Sequence, residues 1–191
     1  LNNDQPTHQV GLRYTANGSD LVNDMIIYVG CSKFERTLFM RPTINLAASA
    51  GEVRLRSADP TAAPLLNYRY FSEPSDQVRQ REAVRLCHAM AHHADFEEMI
   101  GGVMHPVEAD LATDAALDQW IQAAGDTGHH SSGTCKMGPE RDPMAVVDQA
   151  GQVHGIDNLR VIDASIMPDC VRANINAAVL MIGEKMADQL K

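Results

Sequence analysis

The chain has little of what marks several common protein classes. Its 191 residues include four cysteines, Cys31, Cys87, Cys135 and Cys170, with no Cys-x-x-Cys spacing among them. That scatter argues against a structural zinc site and against a disulfide framework, and it fits reduced thiols in a cytoplasmic protein. Basic residues are outnumbered, 16 Lys and Arg against 25 Asp and Glu, for a formal net charge of -9. No nucleic-acid or anionic-membrane partner is expected, because either normally requires a basic patch. No apolar run approaches the roughly 20 residues that span a bilayer. The first ten residues have neither the basic start nor the apolar core of an export signal. No internal repeat or low-complexity segment is present. The absent initiator Met and the opening Leu-Asn-Asn-Asp-Gln-Pro suggest a piece of a longer polypeptide.

What is there reads as alternating strands and helices. Residues 7–15 and 24–30 carry apolar and β-branched side chains at strand density. The turn-prone Ala16-Asn17-Gly18-Ser19-Asp20 lies between them, so a hairpin is expected. Strands follow at 39–48 and 51–57, the second with Val53 and Leu55 inward and Arg54 and Arg56 outward. Ser72 or Ser75 is placed to cap a helix over 76–94, with Val78, Val84, Leu86, Ala89 and Met90 as its apolar stripe. His88 and His92 stand four apart on that helix. Without a matching third ligand they make no metal site.

Residues 113–121 read as a capped amphipathic helix packed through Trp120. A short strand at 146–148 turns over 149–152 into 153–154, where His154 is structural or solvated. From 159 to 190 the chain gives a short apolar strand, a polar loop and an apolar helix that starts near Ala177.

The residues with chemistry to offer cluster at 128–138, Gly-His-His-Ser-Ser-Gly-Thr-Cys-Lys-Met-Gly. Small residues after two imidazoles allow close backbone approach, and a turn tolerates an exposed reactive side chain. With an unperturbed pKa of about 6.5, a histidine in general can accept a proton near neutral pH. A His-His pair in a polar loop is also ordinary surface. Taken singly, Asp163 reads as a turn former, and Asn174 and Asn176 as helix caps.

The loop and the later segment Leu-Arg-Val-Ile-Asp-Ala-Ser-Ile-Met-Pro, followed by a helix, together resemble the carboxy-terminal part of the glucose-methanol-choline (GMC) flavoprotein oxidoreductases. Their signature there is His-x-x-Gly-Thr-x-x-Met-Gly, then Leu-Arg-Val-x-Asp-Ala-Ser-Ile-Met-Pro. Residues 51–76 also look like this family, so the likeness covers about 41–190.

The resemblance implies an α+β fold: a mainly antiparallel sheet with flanking helices, then the terminal strand and helix of an FAD-binding domain. It puts the substrate-binding domain at 1–145 and the return into the FAD-binding domain at 146–191. It implies oxidation of an alcohol to an aldehyde or ketone, with hydride passing to FAD N5. His130 is then the catalytic base and Asn174 the group that holds the substrate oxygen. His129, Asp163, Ala164, Asn176 and Ala177 are then cofactor-binding. The implied partners are a small-molecule alcohol, the amino-terminal FAD-binding part of the same protein, and an electron acceptor that is oxygen or a quinone.

Two departures bear on these expectations. Many choline-oxidising members carry Pro directly after the catalytic histidine, where this chain has Ser131, and Arg172 stands two residues before Asn174. A cationic substrate is therefore not assumed. The dinucleotide fingerprint Gly-x-Gly-x-x-Gly occurs nowhere in the 191 residues. The chain by itself is accordingly expected neither to hold FAD tightly nor to turn over. The competing readings are a GMC-fold lyase or non-catalytic flavin-binding relative and, from another class, a histidine-based metal protein.

Overall fold

The hairpin expected at the start forms because Asp24 ties its turn. The Asp24 carboxylate accepts from the Ala16 amide at 2.9 Å and from Ser19 Oγ at 2.6 Å. In the computed structural model, which describes residues 8–32, 37–172 and 174–190, β1 (His8–Tyr14) pairs antiparallel with β2 (Met25–Ser32). β3 (Thr37–Ile44) pairs antiparallel with the other edge of β2. Thr7, at the front of the expected first strand, lies outside the described residues.

The chain divides into two compact units. One takes in the chain up to Gly51 together with Tyr68–Asp126; the other takes in Glu52–Asn67 together with the chain from Thr127 onward. The functional boundary expected between 145 and 146 falls inside the second of these.

In the first unit, α1 (Pro74–Ala91) packs on the sheet, where Met25, Ala16 and Ala83 share a core with Tyr14 and Ile44. Neither Ser72 nor Ser75 caps α1: the capping position is Glu73, without a side-chain hydrogen bond, and Pro74 begins the helix. Proline suits that position because its missing N–H would have no intrahelical partner there.

The buried face of α1 also differs from the expected apolar stripe. It consists of Asp76, Arg79, Gln80, Ala83 and Val84, whereas Val78 is half exposed. These polar side chains can be buried because each is paired. Arg79 donates to Asp24 at 2.8 Å, to the Leu46 carbonyl at 2.9 Å and to Asp76. Asp76 also accepts from the amides of Ala48 and Ser49, at 3.0 and 2.7 Å. One guanidinium thus fastens the hairpin turn, the exit of β3 and the helix together.

Burial opposes ionisation of both carboxyls. At Asp24 the bonds from Ser19, the Ala16 amide and Arg79 outweigh it, and at Asp76 those from Ser49, the Ala48 amide and Arg79 do. Both groups are held below the usual carboxylate range. A depressed folded-state pKa stabilises the fold above the unfolded value, about 3.9 for Asp, and that contribution disappears as pH falls through the folded value. Urea midpoints are therefore expected to fall as pH drops below about 4. A midpoint unchanged by acidification through that range would show that the pairing contributes nothing.

Thr113 caps α3 (Asp114–Ala124), its hydroxyl accepting from the Ala116 amide at 3.1 Å, as the sequence suggests. Leu117 and Ile121 of α3 meet Val84, with Trp120, Phe71 and Leu111 packed alongside. A single-turn helix, α2 (Glu108–Leu111), precedes it.

In the second unit β4 (Glu52–Arg54) and β5 (Leu65–Asn67) form a two-stranded ribbon, shorter than the strand expected at 51–57. Val53 and Leu55 are not inward: they are 50% and 86% exposed. A two-stranded ribbon has no second layer of its own to cover an apolar face. The remaining core joins Val147, Ile166, Met167, Ile182 and Met186 beneath α4 (Asn176–Gln189). The short strands expected at 146–148 and from 159 onward are reduced to isolated bridges, Val147 with Val153 and Gln152 with Arg160. Neither stretch has a neighbour alongside it for long enough to build a ladder. His154 is structural, its Nε2 lying 3.0 Å from the Gly138 carbonyl. Among the described residues no helix is long and apolar enough to cross a membrane.

Candidate active site

The histidine loop is held in place by its backbone. The amides of Gly133, Cys135 and Met137 donate in turn to the carbonyls of Ala164, Ser165 and Ile166, at 3.3, 2.9 and 2.8 Å. Met137 also bridges Val147 in parallel, and Gly138 donates to the Val147 carbonyl at 2.9 Å. The sequence-predicted loop and the Asp163 segment are thus stitched edge to edge above the core formed by Val147 and Ile166.

Gly133 is required at this edge. Its φ is +80, a conformation that L side chains rarely adopt, and a Cβ there would stand 3.3 Å from the Met167 carbonyl. His129 also sits in the left-handed region, at φ 60, with its amide donating to Thr127 Oγ1 at 3.0 Å. That bend stands immediately before His130.

Asn174 stands two residues ahead of α4, and its Nδ2 lies 3.2 Å from His130 Nε2. The amide nitrogen can only donate, so it pairs with the tautomer of His130 that carries its proton on Nδ1. The imidazole thereby offers an acceptor nitrogen beside a donor that points at the same place. A hydroxyl brought up to both could donate to Nε2 in place of this contact while its oxygen accepts from Asn174. His130 is half-buried and Asn174 is exposed, so the pair is accessible from outside this unit.

The other residues singled out in the sequence make local contacts of their own. Asp163 is exposed and turns the chain into the short 3-10 helix Ala164–Ile166, its Oδ1 accepting from the Ser165 amide at 2.7 Å. Ala164 is joined to the loop through its carbonyl at Gly133. Asn176 and Ala177 open α4 and are exposed, and the capping position before them is Ile175, which has no side-chain hydrogen bond to give. The described contact of His129 is with Thr127, and the structure shows no bond from it to the His130–Asn174 pair.

One contact was not legible in the sequence. Cys170 Sγ lies 3.8 Å from the His130 carbonyl and 3.4 Å from that of Val171, so this thiol ties the loop before Asn174 to the backbone of His130. No spacing rule marks it, because the two residues are 40 apart in the chain. His88 and His92, paired by the sequence, do stand together with ring centres 4.3 Å apart, yet no group of three metal-ligating side chains occurs among the described residues.

A chain with this histidine loop laced to the Asp163 turn, and an asparagine just before its last helix, is matched by a protein-family model. Residues 47–183 fit the GMC oxidoreductase family, and the chain belongs to that family. Among its relatives, oxygen-dependent choline dehydrogenase 1 of Chromohalobacter salexigens is 43% identical over 143 residues, which is 75% of this chain and 25% of that protein. The corresponding enzyme of Burkholderia thailandensis shows 43% identity over the same shares. The chain therefore spans about a quarter of the length of the curated relatives it matches. Pyridoxine 4-oxidase from Mesorbium loti is a structural neighbour, with a TM-score of 0.77 and 26% identity over 94% of this chain and 37% of that one. Formate oxidase from Aspergillus oryzae RIB40, in a structure solved to follow FAD modification, gives 0.77 and 26% over 89% and 32%.

Proposed function

We propose that this chain is the part of a flavin-dependent alcohol-oxidising enzyme that provides the proton acceptor and the contact to the substrate oxygen. The observation that carries the reading is the 3.2 Å approach of Asn174 Nδ2 to His130 Nε2. Family membership supports it, as do the alcohol-oxidising names of the relatives, choline dehydrogenase and pyridoxine 4-oxidase.

The donor set also fits a flavin. The exposed start of the 14-residue α4, at Asn176 and Ala177, favours negative charge by about 0.3–1 kcal/mol, as a helix amino end does. In this reading Asn176, Ala177, Asp163, Ala164 and His129 would hold the cofactor. When bound, FAD supplies the two-electron acceptor for the hydride that leaves the alcohol carbon.

His130 takes the hydroxyl proton on Nε2 as the carbonyl product forms. Asn174 donates to the oxygen throughout and keeps the hydroxyl proton aimed at Nε2. An amide is no base, so proton transfer rests on His130 alone. The first 145 residues act as the substrate-binding part and 146–191 as the return into the FAD-binding domain. Reduced thiols and the acidic composition fit a cytoplasmic enzyme. The test is an alcohol deuterated at the carbon that loses hydride. Flavin reduction in the full-length protein slows with it if that bond breaks in the measured step, and an identical rate with a substrate that still reduces the flavin goes against hydride transfer as the limiting event.

A further inference from the structure

Cys170 touches His130 and takes no part in the proton transfer proposed above. It stands among residues 167–172, which lie between the 3-10 helix Ala164–Ile166 and Asn174 and form neither helix nor strand. This segment starts beside the histidine loop, with the Met167 carbonyl against Gly133. Farther along, Cys170 Sγ lies 3.8 Å from the His130 carbonyl, and Asn174 Nδ2 lies 3.2 Å from Nε2 of the same histidine. Two side chains four residues apart thus reach the two ends of one residue, its main-chain carbonyl and its ring. All three residues belong to the second unit.

We infer, resting on the reading of His130 as the proton acceptor, that Cys170 is a positioning residue: its thiol holds the main chain of His130 against the segment that carries Asn174 and so sets the spacing of the pair. A thiol has one hydrogen, and the carbonyls near Sγ, of His130 and Val171, can only accept. Val171 is the next residue, so a bond to it ties no second segment. The bond to His130 crosses 40 residues of chain. Sulfur is a weak donor and a polarizable atom, and the half-buried Cys170 side chain adds packing to that bond.

The tie matters because the pair has no slack. At 3.2 Å the Asn174–His130 contact stands at the long end of the hydrogen-bond range, and a shift of a few tenths of an ångström takes the amide out of reach. A reacting group misplaced by about 1 Å can lose about a hundredfold in rate. One weak bond lost at the main chain is expected to cost less than that.

The test uses the full-length protein with Cys170→Ala, with Cys170→Ser, which restores a donor, and with Cys170→Ala combined with Asn174→Ala. Crystal structures give the spacing directly. In Cys170→Ala the Nδ2 to Nε2 separation is expected to open beyond hydrogen-bond range, and in Cys170→Ser to stay within it. Rapid anaerobic mixing at several alcohol concentrations separates the limiting rate of flavin reduction from substrate affinity. Cys170→Ala is expected to lower the limiting rate about fivefold and to change affinity by less than about twofold, and Cys170→Ser to recover most of the rate. In the Asn174→Ala background, Cys170→Ala is expected to cost nothing further, because the spacing it protects has lost one partner.

Circular dichroism checks folding; if Cys170→Ala does not fold, Cys170→Val, which keeps bulk and lacks the donor, takes its place. A structure without the thiol in which the pair still touches overturns the inference. So does a limiting rate equal to wild type, or a loss that multiplies in full with that of Asn174→Ala. If no alcohol reduces the wild-type flavin, it is the oxidation reading that fails, and the structures still decide whether Cys170 sets the spacing.

Discussion

Replacing His130 with alanine in the full-length enzyme is expected to slow alcohol-dependent flavin reduction by about a hundredfold to ten-thousandfold, the contribution of a positioned acid–base group. Flavin content should be unchanged. Asn174→Ala is expected to cost less, about tenfold, because it removes one hydrogen bond to a neutral oxygen. The two effects should not add, since Asn174 holds the oxygen whose proton His130 removes, and residues acting as a unit share one loss. Rapid anaerobic mixing with substrate reads the two single variants and the double variant. A His130→Ala enzyme that keeps its flavin and its wild-type rate would move the protein to the lyase or non-catalytic flavin-binding reading.

The second large effect lies in the buried ion-pair network of the first unit. Arg79→Ala is expected to destabilise the first unit by about 3–5 kcal/mol, because removing one partner of a buried ion pair leaves uncompensated charge. Here two carboxylates, on Asp24 and Asp76, would be stranded together with the Leu46 carbonyl. Urea unfolding followed by circular dichroism measures it. Substituting Asp24→Asn and Asp76→Asn in the Arg79→Ala background should restore part of the loss, since the buried charges are removed and the amide oxygens can still accept from Ala16 and from one of Ala48 and Ser49. A loss within about 1 kcal/mol for Arg79→Ala, the size of an exposed pair, would contradict the burial of this network.

These residues also show where sequence reasoning stops. The α3 cap was legible because Thr113 and Ala116 are neighbours in the chain and a cap is a local bond. The first hairpin was legible from its turn residues and strand composition. The buried face of α1 was not. Asp76, Arg79 and Gln80 look like a solvated stripe until the partners arrive from 33 and 55 residues away, at Leu46 and Asp24. Val53 and Leu55 fail in the opposite sense: alternation marks a face, but it does not supply the layer that covers it. At the site, His130 and Asn174 could be paired from sequence only through the family resemblance that two segments carry together, since neither residue is unusual alone. The bond between them and the Cys170 contact needed the fold.

The most direct measurement is the visible absorption spectrum of the full-length protein under anaerobic conditions, before and after a simple or aromatic alcohol is added. If His130 and Asn174 serve hydride transfer to FAD, a flavin band near roughly 450 nm is present and bleaches with the alcohol. A flavin band that no alcohol bleaches would contradict alcohol oxidation while leaving the GMC fold in place.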